Sequence, residues 1–597
     1  MRCGDAVVTT TASDASPKGL GNGPEGPRDR ARKASRRLSW ATAGRTTAWT
    51  LAVVLPLAFL GVFFAYPVAT LVARGFVTDG VLDLGGFAEV LGSARTWRVV
   101  GHTLGQASLG TVIAVLLGVP GAYVLYRRTF PGRRVVRALV AVPFVLPSVV
   151  VGVAFRALLA PAGPLGFLGW DRTFPAIIAA LVFFNYGLVV RMVGTVWERL
   201  DPRTEQAARA LGASPLRALL TVTLPALAPA IASAASLVFL FCATAFAVVL
   251  VLGGSRYATV EVEIWLQTTQ FLDLRAASVL SVVQLVVVAL ALTVSGRARR
   301  SRERALALVE TSRATAPLRL ALGRGRGGSG LDVAAAALTA VVVGLIALPL
   351  LTMLVRSFRH DGAWTLRHYA NLATTGDRAL SVSVWQATEN SLRIAVDATI
   401  IAVVVGVVLA LVLSRRPRSR LGRRGIGALD AAVMLPLGVS AVTVGFGFLI
   451  ALDRPPLDLR SSLLLIPIAQ AMVAIPLVVR AVLPVLRAID PRLRQAAATL
   501  GAGPGRVLLT VDGPLVLRSL GLAVGFAFAV SLGEFGATSF LARPDRPTLP
   551  VVIFRLLGRP GDGNYGMALA ASVILAVVVG LVMTTAERLR PAHAGEV

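Results

Sequence analysis

Cysteine, histidine and lysine are all scarce in this chain. Two cysteines, Cys3 and Cys242, and four histidines stand among 597 residues. Two thiols exclude a disulfide framework and a thiolate metal cluster, and so few histidines leave little for a histidine-rich metal site. Lysine occurs only as Lys18 and Lys33, followed by Gly19 and Ala34. A phosphate loop needs Gly-x-x-x-x-Gly-Lys-[Ser/Thr], with its lysine reaching the phosphates. Neither lysine fits, so ATP hydrolysis by this chain is not expected. Charge is short as well: 15% of residues are charged and 55% hydrophobic, with mean hydropathy +0.73. A soluble domain carries about 25% charged residues. This excess of apolar residues is too large for a water-soluble core, and it excludes soluble enzymes and fibres. An all-α polytopic membrane protein is expected.

Arginine makes up nearly all of the base, giving a net charge of +29. Basic loops on the cytoplasmic side set membrane orientation and face an anionic leaflet. No soluble basic fold is present to carry nucleic acid, so the bilayer is the expected partner of this charge.

Residues 1–46 are rich in Gly, Pro, Ser, Thr and charge and lack an apolar period, which predicts a disordered basic cytoplasmic tail. The apolar run from about 48 to 72 is too long for a signal-peptide core and reads as a retained first span. Further apolar segments lie near 99–126, 135–160, 175–195, 226–253 and 276–295. Six more lie near 332–355, 390–414, 428–451, 462–486, 515–541 and 567–585. About 12 transmembrane helices follow, as a first module over 47–296, a cytoplasmic linker over 297–330 and a second module over 331–588. A short cytoplasmic tail, 589–597, closes the chain. Arginine clusters follow even-numbered spans, at 127–137, 297–304 and 415–424. By the positive-inside rule both termini are cytoplasmic.

The chain repeats itself. Residues 200–225 and 489–514 match at sixteen of twenty-six positions, at an offset of 289 without a gap. The offset also pairs Pro147 with Pro436, Leu188–Arg191 with Leu477–Arg480, and Thr259 with Thr548. Apolar helices resemble one another by composition, but a gapless polar loop does not. Each half has an even number of spans, so the six-helix repeats enter the membrane in parallel, leaving a pathway at the axis between them.

The repeated loop falls between the fourth and fifth spans of each half. Asp201-Pro202 and Asp490-Pro491 offer an N-cap followed by proline at the first helical position. Gly212 and Gly501 are placed to end the two short helices in the left-handed conformation. An amphipathic helix lying on the lipid interface is the plainer alternative. It would not require Gly, Pro and Ala to be held in register across a duplication.

These residues resemble the cytoplasmic signature of membrane subunits from binding-protein-dependent ABC importers: Glu-Ala-Ala, three residues, Gly, nine residues, Ile, one residue, Leu-Pro. The first copy reads Gln206-Ala207-Ala208, Gly212, Val222 and Leu224-Pro225, with Glu205 just ahead. The second reads Gln495-Ala496-Ala497, Gly501, Val511 and Gly513-Pro514. Gln replaces the leading Glu in both copies, and Gly513 replaces the final Leu in the second. Fused chains of this kind resemble the permeases that import iron(III) or thiamine. Leu252-Gly253-Gly254 and Ala258–Ile264 look closer to the thiamine type, and Ser531–Ala537 is similar to iron, sulfate and molybdate permeases. The resemblance implies a type I ABC importer-like fold in a bacterial plasma membrane. It implies two copies of a separate ATPase subunit docked under the loop helices, and an extracytoplasmic substrate-binding protein. ATP would be bound on the partner subunit, and no cofactor, metal or catalytic residue is expected on this chain.

Ionisable residues inside spans are candidates for function. Glu534 stands near the outer end of the eleventh span, either lining the path or holding structure beside Ser531. Asn185, Tyr186 and Gln470 are polar positions of the fourth spans, where helix packing is an equal explanation. Asp397 and Asp430 lie near span ends and could simply reach an interface. Two rivals from other classes remain. Twelve spans in parallel halves also describe a gradient-driven secondary transporter, but the paired loop has no role in that mechanism. A membrane-embedded transferase would need a catalytic constellation, and neither a paired acidic motif nor a Gly-x-Ser-x-Gly turn is well placed for one.

Overall fold

Every expected apolar segment contains a helix in the structure, a computed structural model. It describes residues 47, 50–78, 81–303, 316–317, 330–376, 379–415, 419–453 and 458–588. The expected tails at 1–46 and 589–597, and 304–315 and 318–329 of the linker, lie outside the described residues, while the helix Leu274–Glu303 continues into the first part of the linker.

Among the described residues, nine helices are long and apolar enough to cross a membrane, and twelve spans result if each of three bent pairs counts as one. In the first half they are Thr50–Phe76, Ala94–Arg127, the bent pair Arg133–Val145 and Ser148–Leu159, Phe174–Trp197, Pro215–Ala243 and Leu274–Ala291. In the second half they are Gly330–Ser357, Val384–Leu413, the bent pair Arg420–Pro436 and Ala441–Ala451, Leu465–Ala488, the bent pair Gly505–Leu517 and Ser519–Gly533, and Asp562–Arg588. The chain is an all-α polytopic membrane protein.

Burial distinguishes the spans. The fourth and tenth are 72% buried over their most apolar window, against 22% for the first. The second and fourth spans meet at Gly118, where a Cβ would lie 2.6 Å from Val189 Cγ1. In the second half Gly406 takes the same place, with Val478 Cγ1 at 2.8 Å from such a Cβ. Without a hydrophobic drive between helices in lipid, close backbone approach at small residues is what holds them together. Leu109, Leu116, Val404 and Leu581 are exposed on spans, as acyl-chain contact allows.

The third span bends by 108° and the ninth by 92°. Leu146, ahead of Pro147, is extended at φ −68° and ψ 141°, the conformation a following proline favours. In the ninth span the turn falls at Val439, after Pro436. A further duplication appears just after the first span of each half. There a short hairpin forms, Val77–Thr78 with Val81–Leu82 and Arg359–His360 with Ala363–Trp364.

Two spans are shorter than the apolar runs that contain them. The fifth ends at Ala243, and 247–253 forms a separate buried helix, Ala247–Gly253. The eleventh ends at Gly533, and Thr538–Leu541 is again separate. Seven residues rise only about 10 Å as an α-helix, too little to continue a crossing. Each half then adds one more buried helix, Val260–Thr269 or Leu549–Leu557. Their preceding residues, Thr259 and Thr548, are the pair found at the repeat offset.

Candidate functional site: the paired loops and the central cavity

The two repeated loops fold alike, residue for residue. In the first, Asp201 Oδ1 accepts from the Arg203 N–H at 2.9 Å and the helix runs Pro202–Ala210. In the second, Asp490 Oδ1 accepts from the Arg492 N–H at 2.9 Å and the helix runs Pro491–Thr499. Gly212 and Gly501 stand at φ +90° and +81°. Each glycine closes a helix end with a 6→1 bond: the Ala213 N–H donates to Ala208 O at 3.1 Å, and the Ala502 N–H to Ala497 O at 3.0 Å. Both loops pass into the following span through a single π turn, Leu219–Thr223 and Leu508–Asp512. Pro225 and Pro514 then stand at the start of the next helix.

Neither loop helix has a buried residue. Gln206, Ala207, Gln495 and Ala496 are exposed, while Glu205, Ala208 and Ala497 are half-buried on the side toward the bundle. Leu211 and Leu500, paired by the offset, are 90% and 88% exposed. A large apolar side chain is thus bared at the same place on both duplicated turns. The expected contact set lacks both, although their place ahead of the capping glycine marked them.

The copies differ in charge. Arg494 Nε lies 2.7 Å from Asp512 Oδ1, and Arg494 Nη2 donates to Leu486 O at 3.3 Å. The second loop helix is thereby tied to the spans on both sides of it. At the same offset the first copy has Glu205 and Thr223, and no such pair can form.

Between the halves lies a cavity of about 300 Å³. It is bordered by the bends of the third and ninth spans, at Pro147-Ser148 and Ser440-Ala441, and by the ends of the fifth and eleventh. Asn185 and Glu534 both line it, from opposite halves. Glu534 is 7% exposed. Its carboxylate accepts from the Ala537 N–H at 2.7 Å, the Thr538 N–H at 3.0 Å and the Thr538 hydroxyl. It therefore caps the turn into Thr538–Leu541 while bordering the cavity. The structural role runs through Ala537 and Thr538 and not through Ser531, whose hydroxyl has no hydrogen-bond partner. Asn185 donates through Nδ2 to Leu181 O at 2.9 Å, and its Oδ1 has no hydrogen-bond partner.

Tyr186 and Gln470 are placed elsewhere. One residue turns a helix by about 100°, so Tyr186 cannot share the face of Asn185. It borders a separate apolar cavity of about 570 Å³ with Leu109, Phe155 and Ile346. Gln470 is buried one layer out and donates to Thr538 Oγ1 at 3.3 Å, behind Glu534. Sequence reasoning did not single out Glu261, one of the polar residues that join the halves, as the Arg128–Asp332 ion pair also does. Glu261 is fully buried, and its carboxylate accepts from Ser440 Oγ of the ninth span at 2.7 Å and from Gln284 Nε2 at 2.9 Å. Its signal was an acid inside an apolar stretch, Val260–Ile264.

The helix Ala247–Gly253 separates this cavity from another. Its start borders the central cavity, and its end borders one of about 440 Å³ that carries Arg156, Arg172 and Arg256.

The profile of the family described as binding-protein-dependent transport system inner membrane component matches residues 110–300. The thiamine transport system permease protein ThiP of Escherichia coli (strain K12) is 28% identical over 508 residues, 83% of this chain and 89% of that protein. A putative 2-aminoethylphosphonate transport system permease protein, PhnV of Salmonella typhimurium, is 30% identical over 264 residues, 43% of this chain and 94% of its own. In the solved structure of a bacterial ABC transporter that imports alginate, one chain matches 45% of this chain and 99% of itself, at 18% identity and TM-score 0.38. A duplicated bundle of twelve spans, carrying one exposed and identically capped loop in each half, belongs to the inner-membrane permease components of binding-protein-dependent ABC importers.

Proposed function

We propose that this chain forms the translocation path of an importer for thiamine, which a separate binding protein delivers and separate ATPase subunits drive across. The observation that carries the ATPase reading is the identity of the two loops: the same cap, left-handed glycine, π turn and exposed leucine recur at one offset. Two sockets of the same backbone shape fit two copies of one ATPase. ATP-driven closure of those subunits would press on Pro202–Ala210 and Pro491–Thr499 and tilt the halves about the central cavity. Both termini and both loops are then cytoplasmic, on the side to which the arginine clusters assign them.

Thiamine is supported by relatives that span both halves. Named thiamine permeases of Escherichia coli, Salmonella typhimurium and Brucella abortus match 82–85% of this chain. The test is transport coupling in a reconstituted complex. Ala496→Glu places a charge on the exposed socket face, and Gly501→Pro breaks the cap. Each should leave ATP hydrolysis by the partner running while thiamine uptake falls. Normal uptake in both variants would remove the coupling assignment.

A further inference from the structure

Five phenylalanines wall the central cavity: Phe144, Phe184, Phe241 and Phe246 from the first half and Phe535 from the second. Phe144 is 6.0 Å from Phe184 and 5.9 Å from Phe241, centroid to centroid. Phe246 and Phe535 stack across the interface of the halves at 5.5 Å, with ring planes 16° apart. Aromatic faces carry negative potential and attract cations placed over them.

The polar side chains described around this cavity are one acid, Glu534, and the neutral Ser148, Asn185, Thr244 and Ser440. Glu534 accepts from the Ala537 and Thr538 N–H groups, and no base stands among the described residues around the cavity. Asn185 adds an acceptor oxygen without a partner. Ser440 holds its hydroxyl against the buried Glu261 carboxylate, which accepts from both of its neighbours. The arginines Arg156, Arg172 and Arg256 lie on the other cavity, at the far end of Ala247–Gly253. An acid without a cation, buried at membrane depth, marks a place where a charge is received.

We propose that this cavity is a binding site for a small, flat organic monocation. Phenylalanine faces hold the ring, Glu534 balances the charge, and Asn185 Oδ1 accepts from a polar substituent. The proposal rests on the importer reading and names the chemical class of cargo within it. A volume of about 300 Å³ suits a small ligand. A metal ion is the poorer fit, because hard cations require several converging oxygens and Glu534 is the one acidic side chain among the described residues of this wall. Cargo released by a binding protein would pause here, between the two halves, before the path opens to the other side.

The experiment uses the full chain in lipid nanodiscs without its binding protein. The radiolabelled probes are thiamine and N-methylpyridinium, with toluene as the uncharged competitor of similar shape. Both cations should bind saturably, and toluene should not displace them. Glu534→Gln should weaken binding at least tenfold. Asn185→Asp, which adds a second negative charge and leaves the Glu534 turn untouched, should tighten it severalfold. Phe144→Leu, also remote from that turn, should weaken it. Equal affinity in all three variants, or displacement by toluene, would overturn the site. If cells need this chain for thiamine uptake but the purified chain binds neither cation, the site fails and the importer reading stands. If N-methylpyridinium binds as expected but thiamine uptake does not depend on the chain, the site stands and the thiamine reading fails.

Discussion

Replacing Asp512 by asparagine should loosen the second loop helix and leave the first untouched. The Asp512 side chain is 3% exposed and that of Arg494 22%, at a separation of 2.7 Å. A hydrogen bond to a charged group contributes about 1.5–3 kcal/mol. Partial exposure of the arginine brings solvent screening, which places this pair near 2 kcal/mol. At 1.4 kcal/mol per tenfold, that is about thirtyfold in the equilibrium for local opening. Hydrogen exchange of the amides in 491–502 should therefore quicken about thirtyfold in Asp512→Asn. The amides of 202–213 are an internal control, because Glu205 and Thr223 stand where the pair would be. The reversed pair, R494D with D512R, should recover part of the protection. Unchanged exchange in 491–502, or an equal change in both loops, would refute the reasoning.

Three further outcomes are expected. Gly445→Ala places a Cβ 2.5 Å from the Ala537 backbone, and overpacking of this kind costs about 1–3 kcal/mol; the melting temperature in detergent should fall, whereas Gly344→Ala, with open space around it, should leave it unchanged or raised. Gly212→Ala and Gly501→Ala force alanine into the left-handed region at a cost of about 1–2 kcal/mol each, read as faster proteolysis of the loops, and equal proteolysis would contradict the cap. Leu211→Glu combined with Leu500→Glu should abolish co-purification of the ATPase subunit while the chain itself still reaches the membrane.

The sequence made the twelve spans legible because a bilayer sets their length and the runs meet it. It made the loops legible because a polar segment such as 200–225 has no reason to repeat unless its backbone repeats. The Asp caps and the positive φ of Gly212 and Gly501 follow from local chemistry alone. The breaks after Ala243 and Gly533 were not legible. Val248–Leu252 continues the hydropathy of the span before it, and hydropathy carries no sign of a chain reversal. The meeting of Glu261 with Ser440, 179 residues apart, depends on packing between the halves, which no local pattern encodes. The same holds for the cavity. Asn185 and Tyr186 are neighbours in the chain, yet only their helical phase decides which of them reaches it.

If this chain conducts thiamine across the membrane as the permease of an ATP-driven importer, cells depend on it for uptake. Uptake of labelled thiamine in cells with and without the chain, the binding protein and ATPase being present in both, tests it most directly. Uptake from dilute medium should be lost when the chain is absent, return with the wild-type chain, and not return with Ala496→Glu. Uptake that is the same with and without the chain would contradict it.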